Sequence, residues 1–228
     1  MQQQLLKFAL AGIALAMFSW VLYLIAYVLP AEANVAAYQI IYFHVPSFFT
    51  CFTGFFVGLV ASGMYLATGN FKYDSFAAGV NEVALVFATS GLALGMIWGR
   101  YAWGIWWTWG DARLVTMLLC WLLYAGYLVL RRSVEEPSTR ARLSAVISII
   151  GCVDVGIVYK SIDWFRTQHP SAVLEFRGGG GMGPGMEYPL LISWIGMLCL
   201  GVLLAMVRMK QGETSIEIDS LRREANSF

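Results

Sequence analysis

The sequence predicts an all-α integral membrane protein of six transmembrane helices, with both termini cytoplasmic and a Trp-rich segment on the outer face. Three observations predict it. Of 228 residues, 59% are hydrophobic and 13% charged, whereas a soluble domain carries about a quarter charged residues. The apolar residues gather in blocks of about 18 to 24, the length that crosses ~30 Å of hydrocarbon at ~1.5 Å per residue. The basic residues fall unevenly between the two sets of connecting segments. Together these features exclude a soluble enzyme domain, a disordered tail and a disulfide-stapled secreted module. A net charge of +1 gives no indication of nucleic acid.

The six blocks, within a single membrane domain of residues 1–228, are Phe8–Leu29, Val45–Thr68, Ala77–Trp98, Arg113–Leu130, Leu143–Lys160 and Tyr188–Val207. The first is followed by Ala31-Glu32-Ala33, which has the form of a signal-peptidase site. Its apolar stretch is longer than the 7–15 residues of a signal h-region, and only Lys7 precedes it, so it reads as a retained helix. With the N-terminus inside, Lys7, Lys72, Arg131, Arg132, Arg140, Arg142, Arg208, Lys210, Arg222 and Arg223 lie on the inner side. Arg100, Arg113, Lys160, Arg166 and Arg177 lie outside. Ten against five places both termini in the cytoplasm.

Inner connections are short, and the polar tail at 208–228 is expected to be a frayed helix. The outer side carries Pro30–His44, a Trp-rich segment at 99–112 and a 27-residue segment at 161–187. The glycines Gly178–Gly181, Gly183 and Gly185 lack the ending of a phosphate loop and read as a flexible outer loop. Gly54-x-x-x-Gly58 and Gly91-x-x-x-Gly95 read as sites of close helix approach. Cys51, Cys120, Cys152 and Cys199 lie in or beside apolar blocks without metal spacing, and read as small packing residues. Glu82 and Asp154 fall within spans, where an ionisable group must be paired or neutralised. Both read as hydrogen-bonded or protonated residues between helices, with a proton path or a partner contact as the functional alternative.

The densest local signal runs from Trp98 to Asp111 and holds five of the nine tryptophans: Trp98, Trp103, Trp106, Trp107 and Trp109. An aromatic belt would occupy both interfaces, and this group lies near one. On a short helix along the membrane, Trp103, Trp106 and Trp107 would share a face. The result would be a flat apolar platform with Arg100, Asp111 and Arg113 at its ends, suited to a large planar ligand with acidic substituents such as haem. The alternative is an unusually dense anchor. The two histidines, His44 and His169, both belong to the outer side. Imidazole is a standard axial ligand of haem iron, although a histidine at a membrane edge is often only an interfacial polar residue.

The segment from Trp98-Gly99 to Trp109, the following Asp111-Ala112-Arg113-Leu114, Phe43-His44-Val45-Pro46 and Trp164-Phe165-Arg166-Thr167-Gln168-His169 together resemble the WWD-domain proteins of cytochrome c biogenesis. Within that group the chain resembles the haem exporter protein C family, in order, length and topology over nearly its whole length. The larger relatives carry more spans and more histidines.

The resemblance implies that haem b is held non-covalently, with His44 and His169 as the axial ligands of its iron. Trp98, Trp103, Trp106, Trp107 and Trp109 would form the platform, and Asp111, Arg113 and Arg100 its polar ends. Glu82 resembles an acidic position of the family's third helix. The implied setting is the bacterial inner membrane. Implied partners are a periplasmic haem chaperone, the ATPase and membrane subunits of an ABC transporter, and a small single-span helper. The chain would be a haem-presenting subunit rather than an enzyme, with ATP hydrolysis supplied by a partner. The family motif usually reads Trp-x-Trp-Asp, whereas this chain has Trp109-Gly110-Asp111, which shifts Asp111 by one.

Other classes make different demands. A secondary transporter expects paired interrupted helices and a midplane polar site. A membrane cytochrome expects histidines within spans. A pure assembly subunit would use the tryptophans as an interfacial anchor.

Overall fold

The computed structural model describes residues 2–28, 39–165, 167–170 and 185–225, with side chains left undescribed at 213, 215–217, 219–220 and 223–224. Among the described residues there are six helices: α1 (Gln2–Tyr27), α2 (Ile41–Thr68), α3 (Phe71–Trp103), α4 (Ala112–Ser133), α5 (Pro137–Trp164) and α6 (Glu187–Ala225). All six are long and apolar enough to cross a membrane, α6 through its Glu187–Gly212 portion. The chain is a multi-pass membrane protein. Arg166, Arg177 and the glycines of 178–183 lie outside the described residues, as do most of the 161–187 segment and Pro30–Tyr38.

The second to sixth helices extend the blocks that announced them, and α1 starts six residues before its block, because propensity and capping bound a helix where hydropathy does not. α3 continues five residues past Trp98 and stops where Gly104 takes a left-handed φ of 74°. Arg100 lies in its last turn, where a cation opposes the carbonyl end of the dipole. α6 passes through the apolar-to-polar change at Arg208 and stays helical to Ala225, so the expected frayed tail is a regular extension. Between α2 and α3 the connection is Gly69, left-handed at φ 68°, and Asn70, whose side chain caps the Lys72 N–H. α5 opens with Pro137 at its start and Glu136 as N-cap. Hydrogen bonds from Thr139 and Ser138 hold the Glu136 carboxyl down to about 2.

α2 is central, packing on α3, α5 and α6, while α4 lies along α5 and α1 along α6. Gly54 and Gly58 face α3. A Cβ on Gly54 would come within 2.7 Å of the Ala84 methyl, and one on Gly58 would overlap the Asn81 amide. The core behind them is a Phe55–Tyr124 stack with centroids 3.5 Å apart. Cys51 and Cys120 are buried in it as free thiols. Glu82 is paired with Arg208 of α6 at 2.6 Å, the hydrogen-bonded arrangement expected between helices. At the same end of the bundle, Arg131 grips Asp74 with two bonds of 2.6 and 2.9 Å. Asp154 is buried in α5, with one carboxyl oxygen lacking a hydrogen-bond partner.

The up-and-down order brings the start of α2, the end of α3, the start of α4 and the end of α5 to the other end of the bundle. Pro46 sits one turn into α2 and cannot donate to the Tyr42 carbonyl. The Ser193 hydroxyl of α6 donates to that carbonyl instead, which anchors the turn bearing His44.

Candidate functional site

At that end α2, α3, α4 and α5 enclose a mainly apolar cavity of about 270 Å³. Its lining contains both histidines, four tryptophans and one arginine. His44 enters from the first turn of α2. Its Nδ1 lies 2.9 Å from the Gly91 carbonyl, and its ring meets Phe48 edge-on at 4.9 Å. A carbonyl can only accept, so Nδ1 carries the proton and the neutral ring keeps its lone pair on Nε2. Gly95 makes this placement possible, since a Cβ there would stand 2.8 Å from His44 Cε1. Gly91 does the same for the Phe48 ring. The second glycine pair thus accommodates side chains of the cavity rather than bringing helix backbones together.

His169 reaches the same cavity from the segment beyond α5. Its Nδ1 lies 3.2 Å from the Pro170 carbonyl, which again leaves the lone pair on Nε2. The ring sits 6.4 Å from both Trp98 and Trp103, which meet each other edge-to-face at 5.0 Å. Burial, with the Arg113 guanidinium nearby, holds the His169 imidazole below the ordinary histidine value, so it favours the neutral, metal-binding form.

The tryptophans do not lie on one short helix. Trp98 and Trp103 belong to α3, and residues 104–111 are irregular. Gly104 breaks the helix before Trp106 and Trp107, so the expected shared face of Trp103, Trp106 and Trp107 does not form. The chain folds back instead, and these three still converge on the cavity. Trp109 meets Trp107 edge-to-face at 5.8 Å but is 74% exposed and outside the lining.

The polar residues divide as well. Arg113 lines the cavity, with its Nη1 buried and lacking a hydrogen-bond partner; the Trp107 indole N–H is in the same condition. Two buried donors facing an apolar cavity without acceptors are costly unless a ligand supplies them. Arg100 is exposed and donates to the Gly104 carbonyl, away from the lining. Asp111 is 1% exposed and also outside the lining. Burial pushes its carboxyl up, but hydrogen bonds from Thr167, Leu114 and Gln168 outweigh this and hold it below the usual carboxylate value. Sequence reasoning missed Phe48, Gly91, Gly95 and Thr167. For the first three a signal existed: His44 and Phe48 are spaced i, i+4 on α2, matching Gly91 and Gly95 on α3.

The residues present fit a planar iron porphyrin. Two imidazole nitrogens are available to a metal, indole rings surround them, and two unpartnered donors suit an acidic substituent.

A family model described as heme exporter protein C matches residues 1–224. Heme exporter protein C of Bradyrhizobium diazoefficiens is 32% identical over 196 residues, covering 85% of this chain and 70% of that protein. The Escherichia coli protein of the same description is 30% identical over 175 residues, covering 76% of this chain and 69% of its own. That of Paracoccus denitrificans is 30% identical over 176 residues, covering 77% and 73%.

Proposed function

Because this chain belongs to the haem exporter protein C family, we propose that it binds haem b non-covalently at the outer face of the bacterial inner membrane and presents it for cytochrome c maturation. His44 and His169 each offer Nε2 to the iron. Arg113 and Trp107 hold a propionate, and Trp98, Trp103 and Trp106 flank the ring. The observation that carries this reading is that both imidazoles and both unpartnered donors line one apolar cavity.

When bound, haem would supply an iron able to take imidazole ligands and two carboxylates. The chain's part is to bind, orient and shield it until a periplasmic haem chaperone receives it. ATP hydrolysis belongs to the ATPase of a partner ABC transporter, whose membrane subunit and single-span helper complete the assembly. Trp109 and Trp106, 74% and 55% exposed, favour a second role for part of the cluster as interfacial anchor or docking surface.

The test is the absorption spectrum of the purified chain in mild detergent with haem added, oxidised and reduced. We expect the low-spin spectrum of bis-histidine coordination, lost in His44→Ala and in His169→Ala. An unaltered spectrum in both variants would sink the proposal.

A further inference from the structure

The geometry points to a part for Asp111 other than ligand contact: Asp111 is a positioning residue that holds His169 at the cavity through Thr167 and Gln168. This rests on the proposed function above, in which His169 ligates the iron.

The two carboxylate oxygens of Asp111 serve different segments. Oδ1 accepts the N–H groups of Arg113 at 3.0 Å and Leu114 at 3.2 Å, which caps the start of α4. Oδ2 accepts the Thr167 hydroxyl at 2.6 Å and the Gln168 N–H at 2.9 Å. One buried carboxylate therefore ties the beginning of α4 to a segment more than fifty residues later. The tie extends to the histidine itself, whose N–H donates to Thr167 Oγ1 at 2.9 Å. Thr167 thus donates to Asp111 and accepts from His169. Four donors converge on the carboxylate, which only an ionised, acceptor-only group can satisfy at both oxygens.

The two histidines need different support. His44 lies in α2, its N–H bonded to Ile40 and its ring to Gly91 of another helix. His169 lies beyond α5, which ends at Trp164 with Phe165 as its cap. Its ring bond goes to the adjacent Pro170, which travels with it and fixes nothing relative to the cavity. Two things do hold it there: the flanking rings of Trp98 and Trp103, and the Asp111 clip. The clip also joins His169 to Arg113, because the helix turn that Asp111 caps is the one carrying Arg113. A ligand grasped at iron and at carboxylate needs those two groups in fixed register.

Asp111→Asn separates the roles. Asparagine caps a helix about as well as aspartate, so its amide oxygen can keep α4, while its NH2 then faces the Gln168 N–H and cannot accept. Thr167→Val removes the hydroxyl that joins Asp111 to the His169 N–H while leaving the cap and the Gln168 N–H bond in place, and Thr167→Ser keeps the hydroxyl.

The experiment uses the full chain loaded with haem in mild detergent, read by absorption and electron paramagnetic resonance. Asp111→Asn and Thr167→Val should retain haem through His44 yet lose the low-spin six-coordinate signature, as His169→Ala does. Added imidazole should restore that signature, and Thr167→Ser should rescue it without imidazole. A purely structural role would lower thermal stability without changing coordination. The inference is overturned if Thr167→Val keeps the low-spin spectrum at unaltered affinity. That variant decides the matter even if Asp111→Asn fails to accumulate. A His169→Ala protein with an unaltered spectrum would remove the ligand assignment first, a failure distinguishable from that of the clip.

Discussion

Gly95→Ala should weaken haem binding severely although it adds one methyl group. The new Cβ would stand 2.8 Å from His44 Cε1 and 3.4 Å from Nδ1, about 0.6 Å inside ordinary contact at the first. The ring must retreat by that amount, and its Nδ1 bond to Gly91, now 2.9 Å, then stretches beyond useful geometry. Losing that bond costs ~0.5–1.5 kcal/mol, and overpacking a filled site costs ~1–3 kcal/mol. If the cost, about 1.5–4.5 kcal/mol in total, falls on the ligand-competent ring position, haem binds about 10- to 2,000-fold more weakly. Haem titration followed by absorbance measures this. Gly63→Ala is the control, since nothing lies within 4 Å of a Cβ there. A Gly95→Ala protein that folds normally and binds haem within about threefold of the unsubstituted chain would refute the placement of His44.

Four further outcomes follow from the same geometry. Asp74→Ala strands the half-buried Arg131 and should cost ~3 kcal/mol of stability, whereas Asp74→Ala with Arg131→Met should cost less than the two singles summed; thermal unfolding in detergent measures both. Gly58→Ala should destabilise by ~1–3 kcal/mol through overlap with Asn81, while Gly126→Ala, with open space around it, should be neutral or stabilising by ~0.5–1 kcal/mol in the same assay. Arg113→Gln removes a positive charge that disfavours the His169 imidazolium, so His169 should protonate at higher pH, closer to the free histidine value of ~6.5. Ring-nitrogen chemical shifts of the haem-free protein would show this, and no upward movement would refute the coupling. Haem with esterified propionates should lose affinity for the unsubstituted protein but little for Arg113→Gln, because the Arg113 Nη1 donor is what the carboxylate would satisfy.

The spans and the general location of the site were legible in the sequence for simple reasons. Crossing hydrocarbon demands a run of apolar residues, whatever those residues pack against, and Gly54 with Gly58 marks a close helix approach through their missing side chains. The resemblance carried by the Trp-rich segment and its flanking histidines agreed with the family comparison. Helix ends were less legible. α3 and α6 both outrun their apolar blocks, because hydrogen bonding and caps end a helix and a change in polarity does not.

The sequence by itself determined six apolar helices, their up-and-down order, and so the gathering of His44, the tryptophans and His169 at one end. Connectivity and the lengths of hydrophobic runs suffice for that. Tertiary structure alone decided which of these residues share a cavity. It turned Trp109 and Arg100 outward, left Arg113 and Trp107 facing inward without partners, and made Asp111 a clip between two distant segments. Such assignments depend on where the backbone turns at Gly104 and on which side chain fills the space beside Gly95. The packing beside Gly95 and the Asp111 clip are contacts between residues far apart in the chain, and a local pattern alone does not fix which residues meet.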